Sequence, residues 1–522
     1  MYIRTRKNES GSTSVFVVAS KRFKNKKHPR PIIVKSFGSS RDPKEISLLR
    51  EKAIEFASEN KYTPFLRINK EEEINTSKVK TIGFEEVYGS IFKRYFADKD
   101  MRLKNVDYKI LKELVLMRIA QPLSKLKTSE IAPDYNLNEL TINKIYKFMD
   151  SLNNKAIEKI KGYIFSNSKK LLGNDNLKVL FYDLTTIAFE NNTTSDLKRF
   201  GFSKDGKNQH VQISMALIVT DFGLPLGYEI FPGNIYEGKT LLPVLLKLRK
   251  NYNARNVTVV ADSAMLNKVN LEKLKVNHFS YIVAARIKNL KGTVTKQLLD
   301  KENYISLNED ISYKIIKLDD ISLVACHSKK RERKDEYERK VTIERLNKIL
   351  GKSVKDKLRG SLKKPYIKLS NQSTIMLDEQ KLEEAKRFDG YFGFCTNTNI
   401  SAEEVIAQYR GLWQVERTFR ITKHNLSIRP VYHYKDRRIA AHFAICFLAL
   451  ALIRTTEFLL AKNNQQISSE VLHHLLDQIK VTKLTVKEQE FKIVSDLPPE
   501  IYPILDVLNI KKPKVFSYQE SN

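Results

Sequence analysis

The segment LKVLFYDLTTIAFE, Leu177–Glu190, decides how the rest of the chain is read. Leu177–Tyr182 is a short apolar run of the kind that forms a largely buried strand, and Asp183 falls at its carboxyl end. An acid in that place either forms a turn or caps a helix, or it holds a ligand at a sheet edge. Downstream, HVQISMALIV (210–219) and LGYEIF (226–231) read as strands joined by the turn TDFGLP, and GNIYEGKTLLPVLLKL (233–248) as a loop entering a helix. NVTVVAD (256–262) is a second apolar strand with Asp262 as its last residue, followed by a helix (SAMLNKVNLEKL) and a further strand (FSYIVAA). The order strand, hairpin, helix, strand, helix, strand predicts a mixed α/β core with two acids at equivalent strand ends. Gly233, Gly238, Lys239 and Thr240 reproduce the spacing of a phosphate loop, but no strand leads into them and no acidic partner is evident, so we read the match as chance.

A second segment, YRGLWQVERTFRITK (Tyr409–Lys423), reads as one helix. At about 100° per residue, Tyr409, Trp413, Glu416, Arg420 and Lys423 share an arc of roughly 80°, with Leu412, Val415 and Phe419 as the adjoining apolar stripe. Glu416 and Arg420 at i,i+4 match the commonest surface ion pair. The aromatic company, which includes the sole tryptophan of the chain, suits phosphates and stacked bases instead.

The chain has 522 residues, with 92 Lys and Arg against 60 Asp and Glu, a net charge of +32 and a pI of about 9.7. That excess predicts a polyanionic partner, nucleic acid before membrane. Cys326, Cys395 and Cys446 lie far apart, which argues against a disulfide framework and a structural zinc site. The N-terminus lacks the apolar run of a signal peptide. The longest apolar stretch, Ala440–Ile453, contains His442 and falls short of the roughly 18 residues that span a bilayer. These features predict a buried helix, no membrane association and a reducing, cytosolic compartment.

In order, residues 1–75 read as a small β/α element built on a β-hairpin, and 76–170 as a helical region. In the latter, SKLKTSEIA and LTINKIYKFMDSL flank PDYNLNE, either as a helix-turn-helix-like DNA reader or as a plain bundle. The core comprises 171–286 and 387–462, with Pro430 ending the helix that begins at Tyr409. The roughly 150 residues between Asp262 and Glu416 exceed what one helix and one strand need, which places a β-rich insertion at 287–386. Within it, KKRERKDEYERK (Lys329–Lys340) is either a solvated helix face or a DNA-backbone contact. Residues 463–522 read as a polar, mixed tail in which His473 and His474 are not metal ligands.

Two strand-end aspartates and a helix glutamate are the oxygen ligands that a two-metal phosphoryl-transfer site requires. The motifs FYDLTTIAFE, VVADSAMLNKVNLEKL and YRGLWQVERTFRITKHNLSIRPVYHY together resemble the DDE transposases of bacterial insertion sequences. Within that family the chain is most similar to the subgroup with a Tyr-Arg-Glu-Lys signature and a β-rich insertion before the catalytic Glu. The resemblance implies an α/β fold with an RNase H-like mixed-sheet catalytic core. It also implies Asp183, Asp262 and Glu416 as catalytic residues and as ligands of two Mg²⁺ or Mn²⁺ ions, and DNA contacts from Tyr409, Trp413, Arg420 and Lys423. The implied partner is double-stranded DNA, element terminal repeats and target, held by a homodimer in the bacterial cytoplasm at the nucleoid. Leu412 stands where the family has an arginine, and helix geometry makes Arg420 the replacement before Arg410 or Arg417. Two alternatives share these residues: a metal-dependent DNA nuclease without strand transfer, and a DNA-binding relative that has lost its chemistry.

Overall fold

In the computed structural model of the chain the described residues are 2–21, 30–59, 75–76, 78–96, 107–173, 177–204, 206–207, 209–252, 257–262, 268–348, 366–369, 375–429, 431–486 and 489–519. Pro430 lies outside them. The chain divides into two units, Met1–Ile74 and Asn75–Asn522. In the first, strands Tyr2–Lys7, Thr13–Lys21 and Arg30–Ser40 form an antiparallel sheet, and helix Pro43–Glu59 covers it. Alternating Val15 and Val17 meet Ala53 of the helix in a small core, so the expected hairpin carries a third strand.

The second unit is organised on a nine-stranded mixed sheet. Its strands are β1 (Val179–Ala188), β2 (Gln212–Thr220), β3 (Pro225–Pro232), β4 (Thr258–Ala261), β5 (Ser280–Ala284), β6 (Ile305–Ser306), β7 (Ile311–Leu318), β8 (Ile321–Ser328) and β9 (Tyr391–Thr396). The spatial order is β6-β7-β8-β9-β5-β4-β1-β2-β3. Only β1–β4 and β4–β5 are parallel. Each of these two connections carries a helix, Leu241–Tyr252 before β4 and Lys268–Val276 before β5, as parallel pairing requires. Within residues 287–386, β7 and β8 extend the central sheet through β9, while Ile367–Leu369 and Ile375–Leu377 pair as a separate two-stranded sheet.

Both faces of the sheet are covered. Leu180, Tyr182 and Leu184 of β1 enter one apolar core, while Phe181 and Ile187 enter the other, the alternation expected of a strand buried on both sides. The second core is dominated by helix Asp436–Lys462, packed against helices Tyr108–Ala120, Ile142–Ser151 and Asn154–Leu172. Among the described residues this is the one helix long and apolar enough to cross a membrane, longer than the stretch Ala440–Ile453 that the sequence singled out. It is buried inside the protein almost throughout.

The polar-looking C-terminal segment also folds. Helix Ser469–Asp477, strands Lys480–Val486, Gln489–Val494 and Phe516–Gln519, and helix Ile501–Val507 follow one another. Strand Lys480–Val486 pairs with Asn75–Thr76 and Lys80–Thr81 at the start of the unit. Leu472, Leu476, Ile501, Ile504 and Leu505 reach the main core, an apolar spacing diluted in sequence by the lysines and acids between them. His473 is structural: its Nε2 lies 2.9 Å from the Ala120 carbonyl oxygen, and its ring stands edge-on to Phe84.

Candidate active site

Asp183 does not end its strand. The apolar and β-branched LTTIA after it continues β1 to Ala188, paired with β2, and Asp183 lies opposite Leu217. Its parallel neighbour is shorter: β4 ends at Ala261, the register partner of Tyr182, and Asp262 follows. The two aspartates are therefore the next residues in register on neighbouring strands about 4.8 Å apart. Asp183 shares its face of β1 with Phe181 by the two-residue period of a strand.

The signature stretch lies over that face. It is not one helix but two, Ala402–Arg410 and Trp413–Arg420, followed by a π-helical turn at Ile421–Asn425. The joint at Gly411–Leu412 is tightened by three-residue hydrogen bonds, Leu412 N–H to Tyr409 O (3.0 Å) and Gln414 N–H to Gly411 O (2.9 Å). A Cβ on Gly411 would collide with the Phe181 ring, so the absence of a side chain lets the joint seat on β1. Val415, Thr418 and Phe419 are buried beneath it, while Glu416 faces out.

Asp183, Asp262 and Glu416 line a single cavity of ≈1090 Å³ together with Tyr409, Trp413 and Lys204. Arg286, Arg331, Arg339 and Arg410 line it too, a basic contribution that offsets the acids. Part of it comes from helix Lys329–Asn347, which turns Arg331, Asp335 and Arg339 toward the cavity. Burial pushes the Asp183 carboxyl up to about 6; Asp262 and Glu237 push the same way, while Lys204 and the Leu184 N–H oppose. The Tyr409 hydroxyl is pushed up to about 12, first by burial and then by Asp262, Glu416 and Asp183. One phenol thus feels all three acids.

Among the described residues, no three acidic, histidine or cysteine side chains stand close enough to hold a metal ion as they are. The donor chemistry nevertheless fits a hard cation: only oxygen ligands, facing one cavity, with burial first and the neighbouring acids after it raising the Asp183 pKa, a cost that a bound cation would relieve. Two residues at this site carry no sequence motif. Lys204 places Nζ 3.6 Å from Asp183 Oδ1 and 3.3 Å from Glu237 Oε1, and donates to the Leu184 carbonyl at 2.7 Å. Glu237 comes from the GNIYEGKT loop, whose Thr240 hydroxyl accepts from the buried Tyr182 at 2.7 Å. That loop buttresses the site.

The raised Asp183 pKa gives a test. The folded protein holds this proton more tightly than the unfolded chain, so stability falls as pH rises from about 4 to about 6 and is level above that range. Without divalent ions, Asp183→Asn is therefore expected to melt above the parent protein at about pH 8, with the gain gone below about pH 4. An unchanged or lower melting temperature at the higher pH would contradict this reading.

The remaining signature residues do not all share the main cavity. Trp413 and Glu416 face both it and a neighbouring cavity of ≈270 Å³, where Arg420 lies. Lys423 sits in the π-helical turn, half-buried, and lines neither. Arg410, assigned by ideal helix geometry to another face, lines the main cavity. The tightened joint and the wider π turn account for these departures, since neither advances by 100° per residue.

The sequence profile of the family described as "Transposase DDE domain" matches residues 176–452, more than half of the chain. The chain belongs to this transposase family. No curated protein matches it. Among solved structures, one similar to it is the piggyBac transposase synaptic complex with hairpin DNA, at 8% identity and a TM-score of 0.41, covering 77% of this chain and 82% of that one. Another is the Mos1 transposase paired-end complex with left transposon end, at 12% identity and a TM-score of 0.15, covering 36% and 64%.

Proposed function

We propose that the chain is the transposase of a bacterial insertion sequence, of the Tyr-Arg-Glu-Lys subgroup, and that it cuts element ends and joins them to target DNA. The observation that carries this reading is the convergence of Asp183, Asp262 and Glu416 on the cavity where Tyr409 senses all three. The order β3-β2-β1-β4-β5, with the acids on adjacent central strands, supports an RNase H-like core. Asp183, Asp262 and Glu416 would hold two Mg²⁺ or Mn²⁺ ions, which supply activation of the attacking oxygen and charge neutralisation at the leaving one.

The chain's own side chains do the rest. Tyr409 stays protonated at neutral pH and donates its hydroxyl proton in a hydrogen bond to a phosphate oxygen. Arg410 in the main cavity and Arg420 in the adjoining one hold flanking phosphates, and Trp413 offers a half-exposed ring for stacking. Lys423 serves the backbone beyond them. The net charge of +32 favours a long DNA track, and joining two ends in one complex calls for a homodimer. The bacterial cytoplasm, at the nucleoid and away from membranes, is the expected location.

The test is incubation with the element's own terminal DNA and Mg²⁺ or Mn²⁺, with cut and joined products mapped. Cuts at the element ends with joined product support the proposal. Cleavage that never yields a joined strand would favour the nuclease, and no cleavage would favour a binding-only relative.

A further inference from the structure

We propose that a second pocket, between Phe189–Lys198 and Val431–Tyr434, binds one unstacked nucleotide of a DNA strand. The proposal rests on the transposase reading for its ligand, but not on the acids. The pocket has a volume of ≈420 Å³ and is lined by Phe189, Glu190, Asn191, Lys198 and residues Val431–Tyr434. At its base Lys198 is only 2% exposed, and among the described residues no carboxylate lies within ion-pair distance of it. Its ammonium meets ring faces instead, 5.7 Å from the Phe189 ring centre and 5.9 Å from that of Tyr434. Burying a lysine in this way is costly without an anion, and an incoming phosphate would supply one.

The walls are held for a ligand rather than collapsed. Ser195 Oγ donates to Asp436 Oδ1 at 2.6 Å, which pins the loop after β1 to the start of the long helix on either side of the pocket. Tyr432 and Tyr434 remain 60% and 67% exposed, two large rings at the mouth of a strongly basic protein. His433 between them stays neutral, because burial first and then Lys125, Arg118 and Arg438 push its pKa down to about 3. A nucleobase fits this arrangement: its face against a tyrosine ring, its edge toward Glu190 and Asn191, and its phosphate toward Lys198. The same loop that carries Lys198 brings Lys204 to Asp183 six residues later, so one loop contributes a lysine to each cavity.

The test compares a short thymidine oligonucleotide with a charge-matched abasic oligonucleotide, using the full chain. The parent protein is expected to bind the thymidine strand about tenfold more tightly. Tyr434→Ala and Tyr432→Ala, both at exposed positions, should each remove most of that preference while leaving duplex binding within about twofold. Lys198→Met should weaken both oligonucleotides. Equal affinity of the parent for the two strands would overturn the proposal, as would tyrosine variants that keep the preference or lose duplex binding in proportion. Asp183→Asn separates the two ideas: the thymidine preference should survive it even if the cleavage reading fails.

Discussion

Asp183→Asn is expected to abolish strand cleavage, lowering its rate on the order of 1000-fold or more, while DNA binding stays within a few-fold of the parent. The substitution keeps shape and removes only charge. Asp183 is the acid most enclosed by its neighbours, with its carboxyl raised to about 6 by burial and by Asp262 and Glu237, and it is adjacent in register to Asp262. A carboxamide there has no charge to bury and none to balance a cation, so the gain in stability described above and the loss of chemistry have one cause. Asp262→Asn and Glu416→Gln should lose cleavage to a similar degree, because in the proposed mechanism the three acids act as a unit and their losses do not add. Cleavage by any one of these variants within tenfold of the parent would remove that residue from the site.

The second large effect lies behind the signature helix. Arg454 and Glu457 of the long helix are 3% and 8% exposed and form a buried ion pair. Arg454 also donates to the Gly223 carbonyl at 2.9 Å, the Phe222 carbonyl at 2.8 Å and Gln414 Oε1 at 3.1 Å. Glu457 accepts from Arg417 at 3.1 Å and from the Ser469 N–H at 3.2 Å. Gln414 and Arg417 flank Glu416, so this network fixes the helix that presents the third acid. Glu457→Gln is expected to cost about 3–5 kcal/mol in denaturant unfolding, since it strands a buried guanidinium. Replacing both partners by apolar residues, Arg454→Met with Glu457→Leu, should recover much of that loss in stability but not the cleavage rate. Gly223→Ala should resemble the single variant, because its φ is +73° and a Cβ would strike the Arg454 guanidinium. A loss below about 1 kcal/mol in Glu457→Gln would show the pair to be incidental.

Much of the core was legible because it is written in local periods. The run from β1 to β5, with its hairpin and two helices, follows the order read from apolar runs and turn residues, and Asp262 comes directly after its strand, one residue beyond the end that the sequence suggests. Asp183 was misplaced by one physical fact: a strand's length depends on its partners, and β2 pairs with β1 well beyond the point where β4 stops. The signature helix was read as continuous because Gly411 is compatible with a helix; only the closeness of Phe181 reveals why the joint tightens there. Lys204 and Glu237 were out of reach, since both lie in polar loops and acquire meaning only when the sheet brings Asp183 to them. The C-terminal strands were hidden for a similar reason, as their pairing partners lie near residue 80.

That last pairing bears on how the protein comes into being. Arg94 donates to the carbonyl oxygens of Leu508 and Asn509, at 2.6 and 2.9 Å, across a separation of 414 residues in the first case. Until the ribosome has delivered residues 480–509, Arg94 lacks these two acceptors and strands Asn75–Thr76 and Lys80–Thr81 lack the strand they pair with. A chain stopped before Lys480 is expected to expose residues 78–96 to protease, whereas protection equal to that of the full chain would refute this order of assembly. The first strands of this unit are thereby completed only by residues about 400 positions downstream, so its folding cannot simply follow the order in which it is made.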